Sequence, residues 1–415
     1  MREWLPLRED YLHHLLSMEA PENLACTQCG AESDLVRCQD CWLAPIWCRH
    51  CCLENHFRLP FHRVEIWTGK YFNSSSLVDL GYCLHLGHGG KPCPSLSLSS
   101  SSSGLPKPTS LVFVHVNGIF THKVHWCKCG EVPHHIQLLL AYLYPGSTAN
   151  PQTGLTFEVL DHFYMDALEC KTSAMSFCSK LRRFTNNARP SEVPVSPLDW
   201  PCDASSHFFS SQDRYRVLLR VSRQWRDLKA RKEFGLAFTN GESKLGQLAW
   251  FCPACPQPGI NLPDDWEEDP EECVHVTIKS SQFILKSSNY RWVYRRTVVV
   301  DGNFSADHQK MKNPEDDVPL TDGEGYMVQE GPFRQHLMDT PEIPAVRQYY
   351  SGPSEMPTHY IQRTGGCRKH RAVINANNRK KNLDATGIAA CACGRHGFFV
   401  PHSVVDFQKG ERCAL

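Results

Sequence analysis

Eight cysteine and histidine residues between positions 26 and 62 constrain the fold of this chain more than any other feature. Their spacing is Cys26-x2-Cys29-x8-Cys38-x2-Cys41-x6-Cys48-x2-Cys51-x4-His56-x5-His62. Zinc prefers thiolate and imidazole ligands in tetrahedral sets, so these ligand pairs predict two closed sites. We expect a cross-brace, in which alternate pairs share an ion. One site would comprise Cys26, Cys29, Cys48 and Cys51, and the other Cys38, Cys41, His56 and His62.

A disulfide framework is the alternative for this segment. It is disfavoured because no signal peptide precedes the segment, and because C-x2-C pairs followed by histidines are typical of zinc sites. The segment is too short to bury a large core, so metal binding would supply much of its folding energy. Cys52 and His50 are spare, and either can substitute for a neighbouring ligand.

The composition limits the class of protein. The chain has 415 residues, enough for two or three domains, and 21 of them are cysteines. Its 44 basic and 44 acidic side chains cancel, so any surface that binds nucleic acid must be local. No stretch approaches about 18 consecutive apolar residues, the length that would suggest a membrane span. We expect an intracellular protein, with no membrane or evident small-molecule partner, whose cysteines bind metal.

Periodicity and turn residues predict the main elements. Residues 1–20 suggest a short helix, VEIW a strand, and 111–120 a hairpin with its turn at Asn117-Gly118. A helix in HHIQLLLAYLYPG should stop at Pro145-Gly146. Apolar side chains at helical spacing cover 155–185 and 211–234. The second of these is interpreted as a packed scaffold helix with a solvated basic face, rather than a DNA-recognition helix. Residues 95–108 are a Ser/Pro-rich linker or mobile loop.

Two further cysteine pairs lie far apart in the middle of the chain. They are Cys127-x-Cys129 and Cys252-x2-Cys255. Together they would form a four-cysteine zinc site that closes the middle domain. The alternatives are a buried pair without metal, or other partners such as Cys93, His88 or His125. The acidic run at 264–272 is most simply a solvated loop.

One carboxylate stands at the end of a β-branched run. TVVV leads directly into Asp301, which is followed by Gly302. A carboxylate at the end of a buried strand is costly unless it binds a metal or a firm donor. RNase H-like nucleases and transposases place their first metal-binding aspartate in this way. Spacing alone favours the alternative, an Asx-turn at Asp301-Gly302.

The last 50 residues hold a third cysteine cluster. Its five candidate ligands exceed by one the number that a closed zinc site needs. They are Cys367, His370, Cys391, Cys393 and His396. The intervening run Arg379-Lys380-Lys381 could meet phosphate, but such a run is usually just solvated.

The C-terminal third resembles the Kyakuja-Dileera-Zisupton (KDZ) transposases, a family best known from basidiomycete fungi. The matching segments are VVVDGNF, DVPLTDGEGYMV, TGGCRKHRAVINANN and LDATGIAACACGRHGFFVPHSVVDFQKGER. The N-terminal region resembles the CxC-type cysteine-cluster domain associated with these transposases. Its matches are the zinc-type pairs themselves, PFHRVEIWTGKYF, SLVDLGYCLHLGHGGKPCP, HWCKCG, HIQLLLAYLYPG and WFCPACPQPGINLP.

The resemblance implies an RNase H-like catalytic core with a zinc-binding cysteine insert, acting on DNA in the nucleus with a divalent metal such as Mg²⁺. It makes Asp301 the candidate first catalytic carboxylate and places the five C-terminal cysteines and histidines in the insert. It also implies DNA and other transposase chains as partners. The expected fold is α+β. It consists of a double-zinc cross-brace module (1–70), an α+β CxC-type domain (71–275) and an incomplete RNase H-like core (276–415).

The chain also departs from the family pattern. The family's core and its remaining catalytic acids continue beyond QKGER, whereas this chain ends at Leu415. Asp406 and Glu411 are the only later acids near matched motifs, and neither is assigned a catalytic role. Gly394 stands where alanine is expected. We therefore predict a transposase-derived fragment that binds zinc, and DNA or protein, without catalysis. The alternatives are an active DDE-type transposase completed by another chain or by missing C-terminal sequence, and a zinc-stabilised adaptor similar to B-box proteins.

Overall fold

The computed structural model describes residues 1–19, 23–95, 107–193, 207–236, 244–262, 264, 296–303, 306–311, 318–339 and 383–407. These residues form a mixed helix and sheet fold, as predicted, in two compact units, Met1–Arg226 and Asp227–Leu415. Several predicted features lie outside the described residues: the strand SQFILK, most of the Ser/Pro-rich linker and of the acidic loop, the pair Cys367 and His370, and the basic run at 379–381. Within the described part, no helix is long and apolar enough to span a membrane.

The first unit begins with a small antiparallel sheet. Its strands are β1 (Leu35–Cys38), β2 (Ile46–Cys48), β3 (Val64–Trp67) and β4 (Phe72–Ser75), in the order β2-β1-β3-β4. Helix α1 (Arg8–Glu19) precedes the sheet and buries none of its residues. The short helix α2 (Arg49–Asn55) follows β2 directly. The predicted strand VEIW is confirmed as β3.

A second sheet forms the centre of the first unit. It contains β5 (Leu84–His85), β6 (Thr109–His115), β7 (Gly118–His125), β8 (Leu143–Pro145) and β9 (Thr153–Thr156), in the order β5-β7-β6-β9-β8. Four helices accompany it: α3 (His134–Leu140), α4 (Phe157–Glu169), α5 (Ala174–Thr185) and α6 (His207–Glu233). Residues from β6, β9 and helices α4 to α6 share one apolar core, which includes Val112, Leu155, Leu160, Phe177 and Leu218.

The hairpin predicted in 111–120 is confirmed, but its turn lies one residue earlier than expected. His115 pairs with Gly118, so the turn consists of Val116 and Asn117. Gly118 serves a different purpose, because a Cβ atom there would lie 2.6 Å from the hydroxyl of Thr185. The glycine therefore permits the close approach of α5 to the start of β7.

Two predicted helices end differently from expectation. The helix over 134–144 ends at Leu140, because Tyr142 adopts a left-handed φ of 62°. The periodic segment 155–185 is two helices, because the chain turns at Lys171, whose φ is 52°. Ser173 then caps the second helix by accepting a hydrogen bond from the backbone N–H of Ser176 at 3.1 Å.

The second unit contains a three-stranded antiparallel sheet. Its strands are β10 (Val298–Asn303), β13 (Ile388–Cys393) and β14 (Val405–Asp406), in that spatial order. Strands β11 (His308–Gln309) and β12 (Leu383–Ala385) pair with each other in a separate two-stranded sheet. The second unit also contains helix α7 (Glu330–Asp339). The expectation that Asp301 ends a buried strand is wrong. Val298, Val299 and Val300 are 50%, 48% and 59% exposed, since β10 pairs with β13 alone among the described strands.

A buried histidine gives the first unit a predictable pH dependence. The ring of His122 is 2% exposed and lies 5.7 Å from the ring of Phe61 and 5.9 Å from that of Phe113. Burial lowers the pKa of His122 to about 4. Between that value and the unfolded pKa of about 6.5, the unfolded chain binds one more proton than the folded protein, so acidification destabilises the fold.

We expect His122→Phe to reduce this acid destabilisation by about 2–3 kcal/mol between pH 7 and pH 4.5. The measurement is the difference in unfolding free energy between the variant and the unsubstituted protein at each pH. Protonation of metal ligands affects both proteins alike, so it cancels in this difference. A difference that stays constant with pH would contradict the assignment.

Candidate metal centres

The first candidate centre brings together the first and third cysteine pairs. The Sγ atoms of Cys26, Cys29, Cys48 and Cys51 all lie within 4.8 Å of one another. Cys29 Sγ and Cys48 Sγ are 3.7 Å apart. Zinc–sulfur bonds of about 2.3 Å in a tetrahedron place two sulfurs roughly 3.8 Å apart, so the donor set fits a zinc ion. None of the cysteines that the structure describes forms a disulfide, which agrees with metal rather than disulfide chemistry.

Backbone hydrogen bonds around Cys26 favour the thiolate form of its side chain. Burial opposes ionisation, but backbone N–H groups, including those of Cys48 and Cys29, donate to the sulfur and lower the pKa of Cys26 to about 6. The thiolate is the form that binds zinc, so this pKa favours binding at neutral pH. A tight turn supports the arrangement, in which Gly30 N–H donates to the carbonyl of Cys26 at 2.9 Å.

The second candidate centre joins the second cysteine pair to the two histidines. The Nε2 atom of His56 lies 3.2 Å from Cys38 Sγ and 3.6 Å from Cys41 Sγ. The Nδ1 atom of His62 lies 3.5 Å and 3.3 Å from the same two sulfurs. A zinc ion with usual bond lengths separates its sulfur and nitrogen ligands by roughly 3.5 Å. The two groups together show the interleaved pairing that the sequence predicts.

The tautomer of His56 is set by its own helix. Its Nδ1 atom lies 2.8 Å from the carbonyl oxygen of Cys52, which can only accept, so Nδ1–H donates. The lone pair of Nε2 is therefore free to point at the two sulfurs. Burial lowers the pKa of both His56 and His62, which keeps the imidazoles in their neutral, metal-binding form.

The spare cysteine and an ion pair complete the surroundings of this centre. Cys52 is fully buried and packs in the core beneath the first sheet, with its sulfur 3.5 Å from the non-ligating Nδ1 of His56. Asp40 accepts from the side chain of Arg63 at 2.7 Å and from its backbone N–H at 2.7 Å. Arg63 directly follows His62, so this pair holds the loop that carries the last ligand.

The third candidate centre consists of His88, Cys93, Cys127 and Cys129. Cys93 Sγ lies 3.3 Å from Cys129 Sγ and 3.9 Å from Cys127 Sγ, and Cys127 Sγ lies 3.3 Å from His88 Nε2. The backbone N–H of Lys128 donates to Cys93, and the pKa of Cys93 falls to about 5. These distances again fit one tetrahedral ion.

A buried glutamine holds the loop of the third centre. The side chain of Gln137 accepts from Cys127 N–H at 2.9 Å and donates to the carbonyls of Cys127 at 3.1 Å and Val132 at 2.9 Å. Gln137 is 6% exposed, so these three bonds replace water that cannot enter. They fix the backbone from which both Cys127 and Cys129 project.

Gln137→Ala should therefore weaken zinc binding at the third centre by about 10- to 100-fold, as is usual for groups that orient metal ligands. The measurement is zinc release to a graded series of chelators, followed by the number of ions retained. Gln152→Ala is a matched control, because that glutamine donates to the side chain of Asn150 at 3.0 Å, away from the ligands. Equal zinc retention in the two variants would contradict the role of Gln137.

The fourth candidate centre lies in the second unit and consists of Cys252, Cys255, Cys393 and His396. Cys252 Sγ is 3.2 Å from His396 Nδ1, and Cys255 Sγ is 3.3 Å from Cys393 Sγ. The three cysteines are 6–7% exposed. The backbone N–H of Arg395 donates to Cys393, and the pKa of Cys393 is lowered to about 6.

The predicted four-cysteine site of Cys127, Cys129, Cys252 and Cys255 is wrong. Each pair meets other ligands: the first meets His88 and Cys93, and the second meets Cys393 and His396. His88 and Cys93 are among the alternative partners that the sequence offers for these pairs. The sequence signal for these two ligands is their close spacing, His88-x4-Cys93. They lie in a glycine-rich turn, where Gly87 has a φ of 86°. A Cβ atom at Gly87 would lie 3.0 Å from Cys127 Cβ, so glycine permits the close approach.

The C-terminal cluster is also regrouped. Cys393 and His396 join the fourth centre, whereas Cys391 belongs to none of the ligand groups found among the described residues. Cys391 pairs with Val300 within the sheet, and its carbonyl accepts from Val400 N–H at 2.8 Å. The predicted ligands Cys367 and His370 lie outside the described residues.

Asp301 lies on β10 and is exposed. Its Oδ1 accepts from the backbone N–H of Gly302 at 2.7 Å. Asp301 belongs to no ligand group within the described residues. Asp301 pairs with Ala390 and Asp406 with Ile388, which puts both acids on the same face of the sheet but two strands apart. Burial raises the pKa of Asp406.

Comparison with known families gives two matches. Residues 77–189 match a family described as CxC2 like cysteine cluster associated with KDZ transposases. Residues 294–415 match the Kyakuja-Dileera-Zisupton transposase family. The first range contains the third centre, and the second contains Cys393 and His396. The first two centres, and the pair Cys252 and Cys255, lie outside both ranges. Neither curated proteins nor solved structures give a match.

Proposed function

Because these two matches identify the chain as a KDZ-family, transposase-derived protein, we propose that it uses four structural zinc ions to display a DNA-binding surface and does not itself cut DNA. The observation that carries the proposal is the grouping of Cys and His side chains into four sets, each with ligand atoms within 4.8 Å of one another. Zinc would cross-link segments that are distant in sequence, and its binding energy would stabilise them.

The DNA contact that we propose is the outer face of α6. Arg216, Arg220 and Arg223 are exposed on this helix, whereas Leu218 and Val221 on the opposite side are 2% and 0% exposed. At about 100° per residue, the three arginines fall within an arc of roughly 60°. Guanidinium groups bind phosphate well, and one such row can follow a DNA backbone. The buried side of the helix fixes the direction in which this row points.

DNA binding is tested by its salt dependence. The double variant Arg216→Gln/Arg223→Gln should reduce the slope of log affinity against log salt by roughly 2, since each phosphate contact contributes about 0.9. The matched control is Arg2→Gln/Arg58→Gln, which removes two exposed arginines elsewhere in the same unit. Fluorescence anisotropy with a short duplex measures the slopes. Equal slopes for the two double variants would refute the α6 contact.

The absence of cleavage is proposed from the placement of the carboxylates. Two-metal chemistry requires several carboxylates around ions about 3.5–4 Å apart. Asp301 and Asp406 share a face, but two strand spacings place their backbones roughly 10 Å or more apart. Among the described residues Asp301 belongs to no ligand group, and a carboxylate without further ligands binds Mg²⁺ weakly, because this ion gives up its water reluctantly.

The 415-residue chain should therefore leave supercoiled plasmid intact in Mg²⁺ or Mn²⁺. Gel electrophoresis of the plasmid over time measures nicking directly. Metal-dependent nicking that disappears in Asp301→Asn would overturn the proposal and favour an active DDE-type transposase. Nicking that is equal in Asp301→Asn and the unsubstituted protein would come from a contaminating nuclease and leave the proposal standing.

We retain the RNase H-like assignment for residues 276–415, and a nuclear location, as parts of the proposal. A carboxylate on the first strand of the antiparallel sheet β10-β13-β14 supports the assignment. The proposed domains 1–70 and 71–275 also stay predictions. The pair Cys252 and Cys255 lies in the second compact unit, together with its partners from the KDZ-matched range.

A further inference from the structure

The second unit exposes a group of aromatic side chains around the fourth centre. Trp250 is 62% exposed, Phe251 45%, Phe398 42% and Phe399 52%. We call these four residues the aromatic surface. Large apolar side chains that are exposed together mark binding sites more often than isolated ones do. None of these residues contributes a ligand to the fourth centre.

The aromatic surface is connected through a tyrosine and a cavity. The ring of Tyr326 lies 6.2 Å from that of Phe399, and its hydroxyl accepts from the backbone N–H of Trp250 at 3.2 Å. Phe251, Phe398 and Phe399 line one cavity of about 80 Å³. The rings of Phe251, Phe398 and Phe399 are therefore neighbours on one surface, although Phe251 and Phe399 are far apart in sequence. Trp250 is linked to them through its backbone, and its ring lies 4.7 Å from that of Phe234.

The segments that carry these rings are held in place by their backbones. Phe251 directly precedes the ligand Cys252. The carbonyl of Phe398 accepts from Cys393 N–H at 2.7 Å, and Phe399 forms a β-bridge with Ala392. A fixed backbone lowers the entropy cost of binding a ligand at the exposed rings.

An arginine at the rim of the cavity offers a contact for phosphate. Arg296 lines the cavity, and its guanidinium lies 5.5 Å from the ring centre of Phe251. The same side chain donates to the carbonyl of Pro256 at 2.7 Å, which holds it at the rim. Arg395 is also exposed, and it precedes Phe398 closely in the sequence. The described lining of the cavity contains no carboxylate, although it includes the three cysteine ligands of the fourth centre.

We propose that the aromatic surface binds single-stranded DNA by stacking on its unpaired bases, with Arg296 and Arg395 contacting the phosphates. Aromatic rings stack on every base, and adjacent arginines bind the backbone, which is the combination that single-stranded nucleic acid requires. Bases in a duplex are already stacked and cannot reach these rings. The surface is thus a site separate from the α6 arginines, and it recognises a different form of DNA.

The test uses the full chain and a fluorescein-labelled 12-nucleotide oligothymidine, with anisotropy as the readout. Phe399→Ala should weaken binding by about 5- to 150-fold, the range that alanine substitution of a stacking residue produces. Phe399→Trp should restore binding, because it restores the ring face. The loss in Phe399→Ala should be the same at low and high salt, since stacking does not release counterions.

Two controls separate stacking from general damage. Ile260→Ala removes a side chain that is 77% exposed in the same unit but is absent from the cavity lining, and it should leave affinity unchanged. Phe399→Leu keeps an apolar side chain without a ring, so it should lose affinity while retaining zinc and fold. If Phe399→Leu binds the oligonucleotide as tightly as the unsubstituted protein, the proposal is wrong.

Other outcomes separate this inference from the proposed function. If the chain binds duplex DNA through α6 but no single strand, the inference fails and the proposed function stands. If Phe399→Ala disrupts a concentration-dependent dimer in sedimentation and leaves oligonucleotide affinity unchanged, the surface is a protein interface and the inference is overturned. If single-strand binding depends on Phe399 while duplex binding is absent, the inference holds and the α6 contact fails.

Discussion

Cys48→Ser is expected to remove one zinc ion per chain and unfold the segment that spans the first sheet. Structural zinc sites contribute about 10–16 kcal/mol of apparent binding free energy at neutral pH, which exceeds the whole stability of many domains. Cys48 ends β2 and immediately precedes α2, so its loss also loosens the helix that leads to His56. Native mass spectrometry measures the zinc, and hydrogen exchange over residues 23–75 measures the unfolding.

The control for this variant is Cys170→Ser. Cys170 is an exposed free thiol in the same compact unit and belongs to none of the ligand groups formed by the described residues. It should retain every zinc ion and the exchange protection of the first sheet. Full zinc retention in Cys48→Ser would contradict the account of the first centre.

The interleaved pairing of ligands also predicts how much zinc a double variant of the same centre loses. Cys26 and Cys48 share one ion, so the double variant Cys26→Ser/Cys48→Ser should lose no more zinc than the more severe single variant. If consecutive pairs shared ions instead, the two substitutions would act on different ions and their zinc losses would add. Additive losses would therefore exclude the cross-brace.

Cys393→Ser is expected to release one zinc ion, whereas Cys391→Ser is expected to release none. The two cysteines are separated by a single residue, yet only Cys393 reaches the sulfur of Cys255, at 3.3 Å. Its replacement would leave two buried thiols and a histidine around the ion, an incomplete set for a closed structural site. The second unit should then lose the cross-link between residues 252–255 and 393–396, with a cost of several kcal/mol.

The comparison of these two cysteines on one strand controls for residue type and local sequence. Zinc content by native mass spectrometry and thermal unfolding of both variants are the measurements. Loss of zinc in Cys391→Ser, with retention in Cys393→Ser, would contradict the fourth centre. Equal loss in both variants would assign Cys391 to the site as well, contrary to the observed grouping.

The sequence was most informative where ligands are close together along the chain. The eight ligands of the first two centres lie within 37 residues. C-x2-C pairs followed by histidines in so short a segment predict that alternate pairs share an ion. The structure groups these ligands as predicted. The helices in 155–185 and 207–233 were likewise visible as apolar periodicity, because one face of each packs in a core.

The third and fourth centres were less predictable because their ligands come from distant segments. Cys93 and Cys127 are separated by 34 positions, and Cys252 and His396 by 144. Spacing within a pair shows that its members can share an ion, but it contains no information about which distant pair completes the set. The helix end at Leu140 was missed for a related reason, since burial of Leu143 and Tyr144 in β8 overrides the helical pattern.

The zinc content of the full chain tests the central claim most directly. Native mass spectrometry of protein prepared in a reducing buffer without chelator should show four zinc ions per chain, one for each of the four groups that consist of four Cys and His ligands. Removal of the zinc by a strong chelator should then unfold the first sheet and abolish binding to duplex DNA. A chain that is fully folded and reduced with fewer than four zinc ions would contradict the account.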